Sequence, residues 1–314
     1  MNIFEKLNVK YPIIQGGMEG ISNDKLALAV SNSGGLGLIG TSGKNVETFK
    51  KELDLAKKSI DKSKNFGVNI VLNEDGIDEK IEYTILNKIP LVTISAGNPK
   101  NYIKKFKDAG ILVLCLVGNS KMAVKCEEYG ADGLIFSGSE AGGFISSVTT
   151  MAGLVPVVKS VNIPVISAGG YGDGSQLLAA QAMGAAGIQM GTRFLIAKEC
   201  QIHDKYKNLL INSKENQTEV IGSNLGVSIR QISNGFTKKI NGMEDINIGQ
   251  IIDLYSKGVV KAINEGDLEE GDFLCGMSVG MIEKEQTVDE IIKEIIEEYK
   301  QAKDRLFKDE KFIS

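Results

Sequence analysis

The chain has 314 residues, 42% of them hydrophobic, with 36 glycines, five prolines and a formal net charge of −4 at pH 7. Such a chain can bury a large core threaded by many tight turns, and it has no composition for disordered linkers. Charges of both signs are spread along it, which excludes nucleic acid as the main partner, since a phosphate backbone wants a basic stripe.

The amino-terminal MNIFEKLNVKYP has no apolar signal core, and no apolar run approaches the length of a membrane span. Neither secretion nor a membrane partner is expected, and the expected location is cytoplasmic. Cys115, Cys126, Cys200 and Cys275 are scattered with no C-x-x-C pair, which argues against a metal centre and a disulfide framework.

Ile13–Gln15 reads as a short strand ending in Gly16-Gly17-Met18. A helix over 24–33 follows, with Asn23 or Asp24 at its start and Gly34-Gly35 closing it. The strand-then-helix unit then recurs. Strands are predicted at 36–39, 66–70, 91–94, 112–116, 133–136, 165–167 and 187–190. Helices are predicted at 46–63, 77–87, 100–109, 121–129 and around 151–160. The strands are continuous apolar runs, the mark of parallel strands buried on both faces. Eight of them alternating with helices predict an α/β fold, a (βα)8 TIM barrel. After Phe194 the pattern breaks, and residues 195–269 read as a small helix-rich insertion beside the barrel mouth. The barrel is thus expected to comprise 1–194 and 270–314. In the last helix, predicted over 288–306, Ile291, Ile292, Ile295, Ile296 and Tyr299 share one face, a core stripe.

The chemistry collects after the strands. Ser167-Ala168-Gly169-Gly170 and Gln189-Met190-Gly191-Thr192 follow the seventh and eighth strands, where barrels commonly hold phosphate. Glycine there lets backbone N–H groups approach an anion, although tight turns alone would also call for it. Gln15, Asn69, Ser95, Ser137 and Gln189 form a ring of polar residues at strand ends, suited to a planar polar ligand. Asn69, flanked by Val68 and Ile70, would be costly if buried unpaired; the alternative is a loop-capping role. In Glu140-Ala141-Gly142-Gly143-Phe144, Glu140 is either a ligand acceptor or a solvated loop carboxylate.

Together, the motifs YPIIQGGM (11–18), GGLG (34–37), FGVN (66–69), AGNP (96–99), EAGG (140–143), AGG (168–170) and QMGTRF (189–194) resemble the nitronate monooxygenase (2-nitropropane dioxygenase) and enoyl-acyl carrier protein reductase II family. Glu265-Gly266-Asp267 and the stretch 271–286 are closer to the reductase branch. The resemblance implies a flavin barrel, with the FMN phosphate on Gly169-Gly170 and Gly191-Thr192, and the flavin lined by Gly17, Met18, Asn69, Glu140 and Gly143. NADH or NADPH is implied as reductant of the reductase branch.

At two positions the sequence departs from the family pattern. The family's usual His over the flavin is Phe144 here, and a common acidic residue is Ser137. The sole histidine, His203, reads as structural. A neutral nitroalkane cannot lose its carbon-bound proton without a positioned base, so that oxidation is disfavoured. Reduction of an enoyl thioester, with water or a hydroxyl such as Tyr171 or Ser278 as the proton donor, is the first expectation. Oxidation of an already ionised nitronate by O2 is the second, and a flavin-binding protein with little turnover the third. The expected partner is a small-molecule or acyl-thioester substrate, and the expected assembly a homodimer.

Overall fold

The computed structural model describes residues 3–243 and 245–308. Residues 1–2, Glu244 and 309–314, which the sequence reading assigned to the barrel and insertion, lie outside the described residues. Eight parallel strands form the predicted barrel: β1 (Ile13–Gln15), β2 (Leu38–Gly40), β3 (Gly67–Val71), β4 (Leu91–Ser95), β5 (Leu112–Val117), β6 (Gly133–Ser137), β8 (Val165–Ala168) and β9 (Gly187–Met190). β9 returns to β1, pairing Ile13 with Ile188. Closure is completed by a parallel bridge between Ile14 and Leu36, where Gln15 N–H donates to Leu36 O and Leu36 N–H to Ile13 O, each at 2.9 Å.

Strand alternation splits the core in two. Ile14, Leu38, Leu91, Leu114, Ile135 and Ile166 fill the barrel interior, sealed at one end by Ile3, Phe4 and Leu7. Their neighbours Ile13, Ile39, Val68, Val92, Val113, Leu134 and Ile188 face the helix layer. Both faces are apolar, which is why the strands read as unbroken hydrophobic runs.

Helix ends follow local chemistry. Asn23 caps Asp24–Asn32, its side chain accepting from Leu26 N–H. The helix predicted over 46–63 stops at Ser59, where Ile60 turns extended. His203 caps Asp204–Ile211 through Nδ1, 3.1 Å from Lys205 N, the structural role expected of it. In the last helix, Val288–Lys308, Ile291, Ile292 and Ile295 are wholly buried. Each contributes about 1.5–3 kcal/mol of apolar burial. This helix packs on the helix Gly174–Ala182.

The stretch 195–269 carries helices Asp204–Ile211, Gly235–Asn241 and Ile248–Asn264. It also carries a hairpin that the sequence reading did not single out. Its strands, β10 (Thr218–Ile221) and β11 (Ile229–Ile232), run antiparallel, and β11 adds the two-residue strand β7 (Gly143–Phe144) as a third member. The loop after β6 is therefore held by residues some ninety positions later. Among the described residues, no helix is long and apolar enough to cross a membrane.

Candidate functional site

Along the barrel axis the interior changes character. Leu91 is followed two residues on by Thr93 and Ser95, Ile135 by Ser137, Gly67 by Asn69 and Gly187 by Gln189, all on the same face by strand alternation. The apolar floor thus gives way to a polar layer at the carboxyl ends of the strands. A cavity of about 490 Å³ opens above that layer, within the roughly 300–1,000 Å³ of small-molecule sites.

Most of the predicted residues meet there. Gly17, Met18, Asn69, Ser95, Ser137, Gly143, Phe144, Gly169, Gly170, Tyr171, Gln189, Gly191, Thr192 and Ser278 all line the cavity. Asn69 Nδ2 donates to Thr93 Oγ1 at 2.8 Å. A Cβ at Gly17 would come within 2.3 Å of Asn69 Cγ and Oδ1, so that glycine exists to admit the amide. Gly169 and Gly170 turn with φ of +99° and +83°, a region open to glycine. Their loop is clamped by Gln176, whose Nε2 donates to Gly170 O (3.0 Å) and whose Oε1 accepts from Gly172 N–H (2.8 Å). Thr192 Oγ1 accepts from Gly276 N–H at 2.8 Å, tying the returning chain to the second glycine turn.

Three predicted residues stand elsewhere. Ser167 is paired with Phe136 and Ile188, which puts it on the helix-facing side of β8. It is fully buried and accepts from Tyr171 Oη at 2.8 Å. Its role is to hold Tyr171, because a strand residue adjacent to an inward one must face out. Gln15 is also fully buried; its Oε1 accepts from Leu38 N–H at 3.0 Å and its Nε2 donates to Ser22 Oγ at 2.7 Å. It bridges the closing gap of the barrel. The Glu140 carboxylate accepts from Thr150 N–H and Oγ1 at 2.8–3.0 Å, at the start of the helix Thr150–Ser160. Glu140→Ala is expected to cost about 1 kcal/mol, as lost helix caps do, and to lower the thermal midpoint. A change in FMN affinity with an unchanged midpoint would restore Glu140 as a ligand acceptor.

Sequence reasoning missed one wall. Glu19, Tyr255, Leu274, Cys275 and Gly276 also line the cavity. Tyr255 sits on the helix Ile248–Asn264, and its Oη donates to Glu19 Oε2 at 2.6 Å. Its ring meets that of Phe144 edge to face, with centroids 5.2 Å apart. Burial pushes the Glu19 carboxyl above its ordinary range, partly offset by the Tyr255 and Ser42 hydrogen bonds. Burial also raises the Tyr255 phenol, followed by the Glu19 charge, and Tyr171 is raised chiefly by burial. The Glu directly after GGM could have been noticed; nothing local in the sequence marks Tyr255.

The site fits a flavin nucleotide on its own features. Gln189 Oε1 is buried with no hydrogen-bond partner, an acceptor aimed into a polar layer and awaiting a donor. A Cβ at Gly143, where φ is +70°, would meet nothing within 4 Å, so the space beside that loop belongs to the cavity. Among the described residues no cluster could hold a metal ion.

Comparison with known proteins agrees with this geometry. The family model for nitronate monooxygenase matches residues 2–80 and 73–298. The chain is 31% identical over 322 residues to a probable nitronate monooxygenase of Staphylococcus aureus, covering 87% of this chain and 90% of that one. It is 34% identical over 204 residues to the (3aS,4S,5R,7aS)-5-hydroxy-7a-methyl-1-oxo-octahydro-1H-indene-4-carboxyl-CoA dehydrogenase of Rhodococcus jostii, over 65% of this chain and 57% of that relative. The solved structure of FabK from Thermotoga maritima superimposes with a TM-score of 0.93 at 38% identity, covering 97% of both chains.

Proposed function

The chain belongs to the nitronate monooxygenase family of FMN oxidoreductases, and from that premise we propose that it is an NAD(P)H-dependent reductase of enoyl thioesters, of the enoyl-acyl carrier protein reductase II kind. Phe144 carries the reading. An aromatic ring at the cavity, 52% exposed, stands where removal of a proton from a neutral nitroalkane would need a base. It suits an acyl chain instead. Leu116, Leu195 and Leu274 extend the apolar lining. Likeness to FabK along 97% of both chains supports the same reading, and one relative named for an acyl-CoA substrate fits it.

In this reading the glycine turns at Gly169-Gly170 and Gly191-Thr192 hold the phosphate, and Asn69, Ser95, Ser137 and Gln189 orient the flavin ring. FMN, when bound there, would supply the hydride chemistry. The protein's share is to position the thioester, exclude water and deliver a proton to the α-carbon. A cytoplasmic setting suits the four free, buried cysteines.

The second reading, oxidation of ionised nitronates by O2, is favoured by the names of the Staphylococcus relatives and needs no base. Anaerobic mixing separates the two. The expected result is bleaching of the flavin by NADH or NADPH, with recovery of the yellow form on adding an enoyl thioester. Bleaching by an alkyl nitronate alone would select the monooxygenase.

A further inference from the structure

Reduction of an enoyl thioester needs one proton for each hydride, and the cavity must supply it. Phe144 has none to give. Tyr171 donates its hydroxyl proton to Ser167, a serine on the outer face of β8, and the carboxylate whose charge it feels, Glu140, is taken up by Thr150 N–H and Oγ1. Ser278 is a hydroxyl on the short turn Met277–Met281, too weak an acid to act unaided. Two lining hydroxyls hydrogen-bond the Glu19 carboxyl, those of Ser42 and Tyr255; the phenol is the stronger acid, and its Oη lies 2.6 Å from Glu19 Oε2.

We propose that Tyr255 is the proton donor to the substrate α-carbon and that Glu19 resupplies it. The assignment rests on the reductase reading. Hydride adds to the β-carbon and the double-bond pair moves to the thioester as an enolate. The enolate then takes the Tyr255 hydroxyl proton at the α-carbon, and the phenolate oxygen takes the proton of the Glu19 carboxylic acid. Glu19 is left as a carboxylate and regains its proton from water. Electrons and protons balance with NAD(P)H as the reductant.

Three features support the pair. Both residues line the cavity while lying on different segments, Glu19 after β1 and Tyr255 on the helix Ile248–Asn264, so the substrate space is what they share. Edge contact with Phe144 fixes the Tyr255 ring, giving that phenylalanine a positioning role. The surroundings also keep the proton on Glu19 to a higher pH than usual. Burial is the main cause, and the charge of Glu74 adds to it. Asp272 faces the pair as well, itself raised by burial and by Glu19, and Tyr206 adds to the setting of Tyr255. Burial thus shifts Glu19 towards its acid form. Its supply falls as pH rises through the raised Glu19 value.

The experiment uses the FMN-loaded protein, NADPH or NADH, and crotonyl-CoA as the probe. Anaerobic bleaching of the unsubstituted protein comes first; without it the reductase reading fails and this assignment goes with it. Given bleaching, Tyr255→Phe is expected to lower kcat for crotonyl-CoA roughly 100-fold, the scale of a lost general acid, with KM within about threefold. Glu19→Gln is expected to lower kcat and abolish its alkaline descent. In FMN-free protein, 13C NMR of the glutamate carboxyls should show a resonance that is missing in Glu19→Gln, titrates above the ordinary range and moves in Tyr255→Phe. Full kcat in Tyr255→Phe, or an alkaline descent that survives in Glu19→Gln, overturns the assignment while leaving the reductase reading in place.

Discussion

Gly17→Ala is expected to lose most of its affinity for FMN while remaining folded. The added Cβ would fall 2.3 Å from Asn69 Cγ and Oδ1 and 2.7 Å from Asn69 Cβ, so the amide must leave. Leaving breaks the 2.8 Å bond from Asn69 Nδ2 to Thr93 Oγ1 and pushes the side chain into the cavity. Forced repacking costs about 1–3 kcal/mol, and a lost hydrogen bond about 0.5–1.5. At about 1.4 kcal/mol per tenfold, a total of roughly 1.5–4.5 kcal/mol weakens FMN binding about 10- to 1,600-fold. Quenching of flavin fluorescence during titration of the apoprotein measures it. The lost hydrogen bond also falls on the apoprotein, whose thermal midpoint should drop by roughly 1–6 °C at about 2–4 °C per kcal/mol. Binding unchanged within twofold would remove Gly17 and Asn69 from the flavin site.

Gly174→Ala carries the largest expected effect on stability. Its Cβ would fall 2.0 Å from Ile295 O and 2.3 Å from Tyr299 N. Those are backbone atoms of the last helix, so no side-chain rotation relieves the clash. The two helices must separate, and the bond from Gly174 N–H to Glu298 Oε2, 2.8 Å long, goes with them. A cost of about 3 kcal/mol, the upper end of ordinary overpacking, lowers the melting temperature by roughly 6–12 °C at about 2–4 °C per kcal/mol. Gly110→Ala is the control, since its Cβ would meet nothing within 4 Å at φ +74°. There only left-handed strain of about 1–2 kcal/mol is added. Equal melting temperatures for the two variants would count against the close helix crossing.

The strand cycle was legible because parallel strands buried on both faces leave unbroken apolar runs, and each run here ends in small or polar residues. The meeting of Asn69, Gly169-Gly170 and Gly191 at one cavity was legible for the same reason, since they break apolar runs at fixed places. Periodicity alone did not separate the faces of strands only three or four residues long, which is how Gln15 was counted in the polar ring and Ser167 with the phosphate turn. Glu140 looked like a ligand because the sequence does not show that the amino end of the next helix lies within reach of its carboxylate. Tyr255 was illegible because it reaches the cavity from a helix 236 residues beyond Glu19. No local pattern encodes that meeting, nor the pairing of β7 with β11.

That pairing gives the two walls of the cavity different owners. One wall is made of strand ends, which cannot change without disturbing the barrel. The other is made of Phe144 held by β11, Tyr255 on an inserted helix, and the segment from Leu274 to Ser278 on the returning chain. The second wall can therefore change its side chains with less disturbance to the barrel than the first.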